Sequence, residues 1–306
     1  MSSTSAIISQ NDAAADPADD SVASSRKQYW QALVFAVVVL WLVFADFVHL
    51  CRLRTDGHFI QTTDDAYITM AVARNFAQHG TWGIQPDQFT SLASSPGWVL
   101  LMAAIFQCVT PSEYVPLGMN IFFATLLFIV AWGIFRSFGV RPIITLFGLL
   151  VILVLTPIVP VAFTGLEHIS QCCADLAYVF AVATLLAGDA PASAKRPAIA
   201  AILLLSPILT LIRYEGVFLI ATAGALLLAR KYFKTAVLTG LLGAIPIVVS
   251  GLIFLKKGWF FFPSTLIQKG NMPVSTGPLT YIYRLAESLV VNVHTSFADR
   301  TDGSHL

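Results

Sequence analysis

The sequence predicts an all-α polytopic integral membrane protein, and three observations carry that expectation. Of 306 residues, 57% are hydrophobic and only 11% are charged, whereas an average soluble domain has about 45–50% apolar and about 25% charged residues. The apolar residues gather into runs, several of them near the roughly 20 residues that span a bilayer core. The breaks between runs carry Pro, Gly, Lys and Arg, which are turn and stop chemistry. Mean hydropathy is +0.76. A soluble enzyme, a disordered chain and a nucleic-acid binder are excluded: 18 Lys and Arg against 17 Asp and Glu leave a net charge of +1, which provides no field for a polyanion.

Residues 1–25 are mostly Ser, Ala and Asp, the composition of a disordered tail. They do not read as a signal peptide, because no basic residue precedes Arg26 and Lys27. The run Tyr29–Cys51 is long enough to be a retained first span. Residues 52–96 form the longest polar stretch. Apolar runs follow at 97–109, 115–135, 142–160, 171–187, 198–212, 216–229 and 235–255. From 256 the chain is mixed, with a weakly apolar run near 279–293, and 273–306 carries no definite structural expectation. No internal repeat is visible. Cys51, Cys108, Cys172 and Cys173 lie in or beside apolar stretches without metal-ligand spacing, and read as apolar filler.

Topology follows from the basic residues. If every run crossed, Lys and Arg would favour the outside, against the positive-inside tendency. The 97–109 run covers only about 20 Å as a helix, against a core of about 30 Å. Allowing it to dip and return leaves about seven crossings. The tail and the basic groups at 136/141, 195/196 and 230/231/234 then become cytoplasmic, while 52–96, 161–170, 213–216 and 256–278 become external. Arg52 and Arg54 stay on the unfavoured side.

The scarce charges on the external side are the candidates for chemistry. Thr63, Asp64 and Asp65 open a predicted amphipathic helix that ends near Gly80. Thr63 suits an N-cap, Asp the first turn, and Gly the C-terminal stop. Tyr67, Ile68, Ala71, Val72 and Phe76 recur at helical spacing as its apolar face. Two readings of the carboxylates stand at this point, helix-start capping and a site. Glu167, in Thr164-Gly165-Leu166-Glu167-His168, is either a loop carboxylate or a site residue. Arg213 and Glu215 are either a local ion pair or a site, since charges near membrane depth are costly. Lys269, after Phe260 to Pro263, is either a snorkelling anchor or a phosphate contact. Arg74 and Asn75 are either an ordinary polar face or ligand contacts. Asp46, His49 and Asp175 sit within apolar runs, where a proton relay competes with snorkelling or pairing.

Read in order, these motifs resemble the bacterial GT-C fold membrane glycosyltransferases that use polyprenyl-phosphate sugars, in particular the mycobacterial-type terminal arabinofuranosyltransferases and their bacterial homologues. The matching residues are Asp64-Asp65-Ala66-Tyr67-Ile68, Ala73-Arg74-Asn75, Ser94-Ser95-Pro96-Gly97-Trp98, Thr164 to Glu167, Arg213-Tyr214-Glu215-Gly216, and Pro263-Ser264-Thr265 with Lys269. The resemblance covers about residues 29–272. Ala71 stands where the family often has Arg, Tyr214 where it has Pro, and Ser264 where it has Asn. Members usually continue with more spans, so a fragment or a short member is expected.

The resemblance implies a GT-C-like bundle in the cytoplasmic (inner) membrane, with a cytoplasmic N-terminus and the active site outside. The implied reaction moves a sugar from a polyprenyl-phosphate donor to a cell-envelope glycan or lipid acceptor. One of Asp64 and Asp65 would be the general base, with Asp64 favoured and Asp65 as an orienting or metal-contacting partner. The pair would suit Mg²⁺, Mn²⁺ or Ca²⁺. Arg213, Lys269 and Arg74 would meet the leaving phosphate, while Glu167 and Glu215 would hold sugar hydroxyls or fix Arg213. A groove among the spans would take the lipid tail. The competing classes are a transporter or lipid flippase using Asp46, Asp175 and Arg213, and a non-catalytic membrane subunit.

Overall fold

In lipid, backbone N–H and C=O groups have no water to bond, so each apolar run must satisfy them internally as a helix. A computed structural model describes residues 17–188 and 191–269, with positions 280, 283, 287 and 290 beyond them. Among these residues there are eleven helices and no strand. The first 16 residues of the expected tail, and all but those four positions of the 273–306 segment, lie outside the described residues.

The helices are α1 (Pro17–Arg54), α2 (Asp64–His79), α3 (Pro96–Phe106), α4 (Tyr114–Ser137), α5 (Pro142–Leu155) and α6 (Ile158–Ala162). They continue with α7 (His168–Leu186), α8 (Ala192–Ile212), α9 (Gly216–Ala229), α10 (Phe233–Lys256) and α11 (Ser264–Lys269). Five are long and apolar enough to cross a membrane: α4, α7, α8, α10, and the Ser24–Arg54 part of α1. The apolar helices α3, α5 and α9 are shorter.

Three boundaries differ from the sequence reading, each for a local reason. Helix α1 begins at Pro17, inside the stretch read as tail. Proline is pre-set for a first helical position. The 142–160 run breaks at Thr156-Pro157 into α5 and α6. Thr156 is extended at φ −103°, ψ 143°, as the residue before proline tends to be. Helix α8 starts at Ala192 and carries Pro197 and Pro207 inside it. The 97–109 run folds as α3, whose eleven residues reach about 16 Å, too short to cross.

Two apolar clusters build the bundle. One joins α1, α4, α5 and α6 around Leu40, Phe44, Phe128 and Leu149. The other joins α7 to α10 around Tyr178, Ile202, Leu209 and Leu227. The packing of α4 on α7 links them. The outward faces stay apolar: Val34, Phe35, Val38 and Leu42 on α1, and Leu241, Ile245 and Leu252 on α10, are exposed. In water such a face would be a liability, whereas in hydrocarbon it is matched to its solvent.

The turns alternate between two ends. At one end, the Tyr29 hydroxyl donates to the Val140 carbonyl at 2.7 Å, and the Trp132 indole donates to the Tyr29 carbonyl at 2.9 Å. At the other end, Gln61 donates to the Glu113 carbonyl at 2.7 Å, and the Thr62 N–H donates to the Phe163 carbonyl at 2.9 Å. The α5–α6 pair therefore runs from one end to the other, although α5 alone has 14 residues, about 21 Å. Arg213 meets Glu167 at this second end, and Ser264 meets Ser91 there.

Candidate functional site

The second end is assembled by backbone carbonyls that accept from distant side chains. Thr63 occupies the N-cap of α2 but makes no side-chain cap. Its hydroxyl instead donates to the Thr164 carbonyl at 2.9 Å. Trp98 donates to the Gly165 carbonyl at 3.1 Å, and the Thr265 hydroxyl to the Leu92 carbonyl at 3.0 Å. Gly165 is required twice over. Its φ is +70°, and a Cβ there would lie 2.9 Å from the Ala66 Cβ. At Gly97 a Cβ would lie 2.8 Å from the Leu211 carbonyl oxygen, so α3 can start against the end of α8.

Helix α2 behaves partly as expected. It ends at Gly80 in the left-handed region, φ 68°. Its buried face, however, is Ala66, Thr69, Val72, Ala73 and Asn75, while Tyr67 and Ile68 are exposed. Close packing on α3 favours small residues, and the Tyr67 hydroxyl turns back to accept the Gln61 N–H at 3.1 Å. Asn75 is fully engaged in structure, donating to the carbonyls of Gly83 and Ile84 at 2.9 and 2.6 Å. Arg74 is exposed and not part of the pocket.

A polar pocket of about 180 Å³ sits among these elements, walled by Asp65, Thr69, Ser95, Glu167, His168 and Arg213, with Thr265 at its side. Five separated segments of the chain thus contribute to one cavity. Asp65, not Asp64, faces it. The Asp64 carboxylate accepts the Asp65 N–H at 3.1 Å, a local bond at the helix start.

Arg213 is the hub. Its Nη1 lies 3.3 Å from Glu167 Oε1 and 2.8 Å from His168 Nδ1. Its Nη2 and Nε reach Glu215 at 2.9 and 3.4 Å. A guanidinium cannot accept, so His168 Nδ1 must, which puts the imidazole proton on Nε2. Glu167 is 4% exposed, and a carboxylate that deep needs such a partner. The Glu215 hydrogen bond holds Arg213 above its ordinary pKa, with burial opposing and the charges of Glu167 and Glu215 adding. Burial pushes Glu215 up, but the hydrogen bond and charge of Arg213 and its own backbone contact together outweigh that, and its pKa falls below the ordinary 4.5. The sequence reading missed His168, although it adjoins Glu167; nothing in the sequence alone marks it as a partner of Arg213.

Among the described residues, no group of three or more His, Cys, Asp and Glu side chains is placed to hold a metal ion. Glu167 is engaged by Arg213, and the donor set around Asp65 does not fit a resident divalent cation. The Lys269 side chain lies outside the described residues. Asp46 and His49 are exposed on α1, and Asp175 accepts from Gln171 at 2.7 Å, so these three do not join Arg213 in a cluster. Cys173 is buried, Cys51 partly buried, and Cys108 and Cys172 exposed.

Beside the polar pocket, across Ser95-Pro96 and Leu211, lies an apolar cavity of about 470 Å³. Phe76, Trp82, Leu100, Ile253 and Phe254 form its walls, with Asp87 and Lys257 also lining it. The fold and its apolar spans define a helical membrane protein. No family model matches the chain, and no curated protein or solved structure matches it.

Proposed function

We propose that this protein is a membrane glycosyltransferase that moves a sugar from a polyprenyl-phosphate donor to a glycan or lipid acceptor of the cell envelope. The observation that carries the reading is the convergence of Asp65, Glu167, Arg213, Ser95 and Thr265 on one pocket. These residues belong to five motifs scattered over about two hundred positions, and they match the glycosyltransferase order noted above. The adjoining apolar cavity suits a prenyl chain, so headgroup and tail would lie on either side of the Ser95-Pro96 wall.

In this reading Asp65 is the general base. Its carboxylate takes the proton of the acceptor hydroxyl as the oxygen attacks the anomeric carbon. The bond from that carbon to the phosphate oxygen breaks, and the electron pair leaves with the polyprenyl phosphate. General-base catalysis contributes about 10²–10⁴-fold. Glu167 and Glu215 fix Arg213, and no step is routed through a metal. The exposed Lys257, which lines the adjoining apolar cavity, and Lys269, further along the chain, remain for the leaving phosphate.

The same reading sets the chain in the cytoplasmic membrane with seven crossings, α5–α6 and α9 joining the five long helices. The end bearing Arg26, Lys27, Arg136, Arg141, Lys195 and Arg196 would face the cytoplasm, and the pocket would open outside. A transporter is less well supported, because Asp46 and Asp175 do not meet Arg213. The test is transfer of radiolabelled sugar by the full chain in proteoliposomes supplied with polyprenyl-phosphate sugars. Wild-type transfer that Asp65→Asn abolishes supports the reading; no transfer by the wild type from any such donor overturns it.

A further inference from the structure

The end of the bundle remote from the pocket gathers cations around one aromatic joint. There the Tyr29 hydroxyl donates to the Val140 carbonyl and the Trp132 indole to the Tyr29 carbonyl, while the Trp30 and Trp132 ring centroids lie 4.8 Å apart. Arg141 follows Val140 as the N-cap of α5. Arg26 and Lys27 precede Tyr29 and Trp30 by three residues, about one helical turn or 5 Å along α1. The Arg136 guanidinium lies over the Trp132 ring at 5.5 Å. The joint therefore assembles two pairs of cations from three helices, Arg26 with Arg141 beside Tyr29 and Val140, and Lys27 with Arg136 beside Trp30 and Trp132. All four are exposed, and among the described residues none makes an ion pair. No Asp or Glu occurs in 21–45 or 114–166. Asp20, the nearest carboxylate along α1, stands six residues before Arg26, about 9 Å up the helix. Further into the bundle the same surface is apolar. Val34 and Phe35 on α1 and Ile143, Ile144 and Phe147 on α5 are exposed, and α1 packs along α5. Like charges gathered on one surface repel until an anion neutralises them.

We propose that this end binds an anionic phospholipid whose headgroup carries two phosphates, of the diphosphatidylglycerol class. One phosphate meets Arg26 and Arg141, the other Lys27 and Arg136, and the acyl chains lie along the apolar faces of α1 and α5. Arg136 is suited to its part: stacking on Trp132 fixes the guanidinium plane, and its outward N–H groups can bond a phosphate in a fork. Basic clusters between spans are recurrent sites for such headgroups. A soluble polyanion would match the cations and leave the apolar faces unused, whereas a zwitterionic lipid would match the apolar faces and leave the cations unneutralised. The inference uses no residue of the polar pocket and stands apart from the transferase reading.

The test titrates the full chain in detergent with diphosphatidylglycerol, phosphatidylglycerol and phosphatidylcholine, and native mass spectrometry reads the affinity for the first lipid bound. Diphosphatidylglycerol should bind most tightly, phosphatidylglycerol less tightly and phosphatidylcholine least. Each cation removed should weaken diphosphatidylglycerol about five-fold, the effect of one basic residue near an anionic headgroup. Arg136→Gln and Lys27→Gln test one from each contributing helix. Lys27 makes no contact with a described side chain, so its variant should fold even if loss of the Arg136–Trp132 contact destabilises the other. Arg54→Gln removes a cation from the opposite end of α1 and should leave the affinity unchanged. Equal affinity for diphosphatidylglycerol and phosphatidylcholine would overturn the proposal, and so would wild-type affinity in Lys27→Gln or an equal loss in Arg54→Gln. Equal affinity for the one-phosphate and two-phosphate lipids would overturn the pairing of cations with two phosphates.

Discussion

The two ends of the bundle are built by different means. At the Tyr29–Val140 end, short turns join the helices, and the contacts are aromatic: Trp30 lies tilted against Trp132 with ring centroids 4.8 Å apart, and Arg136 lies over the Trp132 ring at 5.5 Å. At the Arg213 end, longer connections are tied together by side chains bonded to distant carbonyls. One end reverses the chain, which Pro, Gly and basic residues do locally. The other must hold Asp65, Glu167, His168 and Arg213 in a fixed relation although they come from separate segments. The difference teaches that the glycines and hydroxyls of the motifs are joinery, and that few of the motif residues face the cavity.

That contrast can be broken by substitution. The largest expected effect is on transfer. Asp65→Asn should lower it by about 10²-fold or more, read by sugar transfer from the lipid-linked donor, while the protein still inserts. Next is Gly165→Ala, which meets both a positive φ and the Ala66 and Gln61 side chains. Strain of about 1–3 kcal/mol is expected, seen as a lower unfolding temperature in detergent. An alanine at Gly139 shares the positive φ but finds open space, so it should cost less. Glu167→Gln comes third, at about 1–2 kcal/mol, because it leaves Arg213 without a buried partner. Glu215→Gln should cost under about 1 kcal/mol, since Glu215 is nearly half exposed.

Acid gives the smallest effect. The folded-state pKa of Glu215 lies below its ordinary 4.5, so its contribution is full above the unfolded value. It is lost as pH falls through the lower folded value. Thermal stability should therefore drop below about pH 4.5, and part of that drop should vanish in Glu215→Gln.

How much was legible in the sequence follows from the same contrast. Helix existence was legible because hydrocarbon leaves no alternative to it. The gathering of 52–96, 161–170 and 213–216 was legible because alternating crossings fix parity. The inward face of α2 was not, since close packing chose Ala66 and Ala73 over Tyr67 and Ile68. The choice between Asp64 and Asp65 was not either. Adjacent helical residues differ by about 100°, and only the position of the pocket separates them. His168 was invisible for another reason: its partner Arg213 is 45 residues away.

The most direct measurement of the central claim is a paired comparison of Asp64→Asn and Asp65→Asn in proteoliposomes with a polyprenyl-phosphate sugar donor. The account predicts that Asp65→Asn loses transfer by about 10²-fold or more while Asp64→Asn keeps most of it. Full transfer by Asp65→Asn, or loss confined to Asp64→Asn, would contradict it.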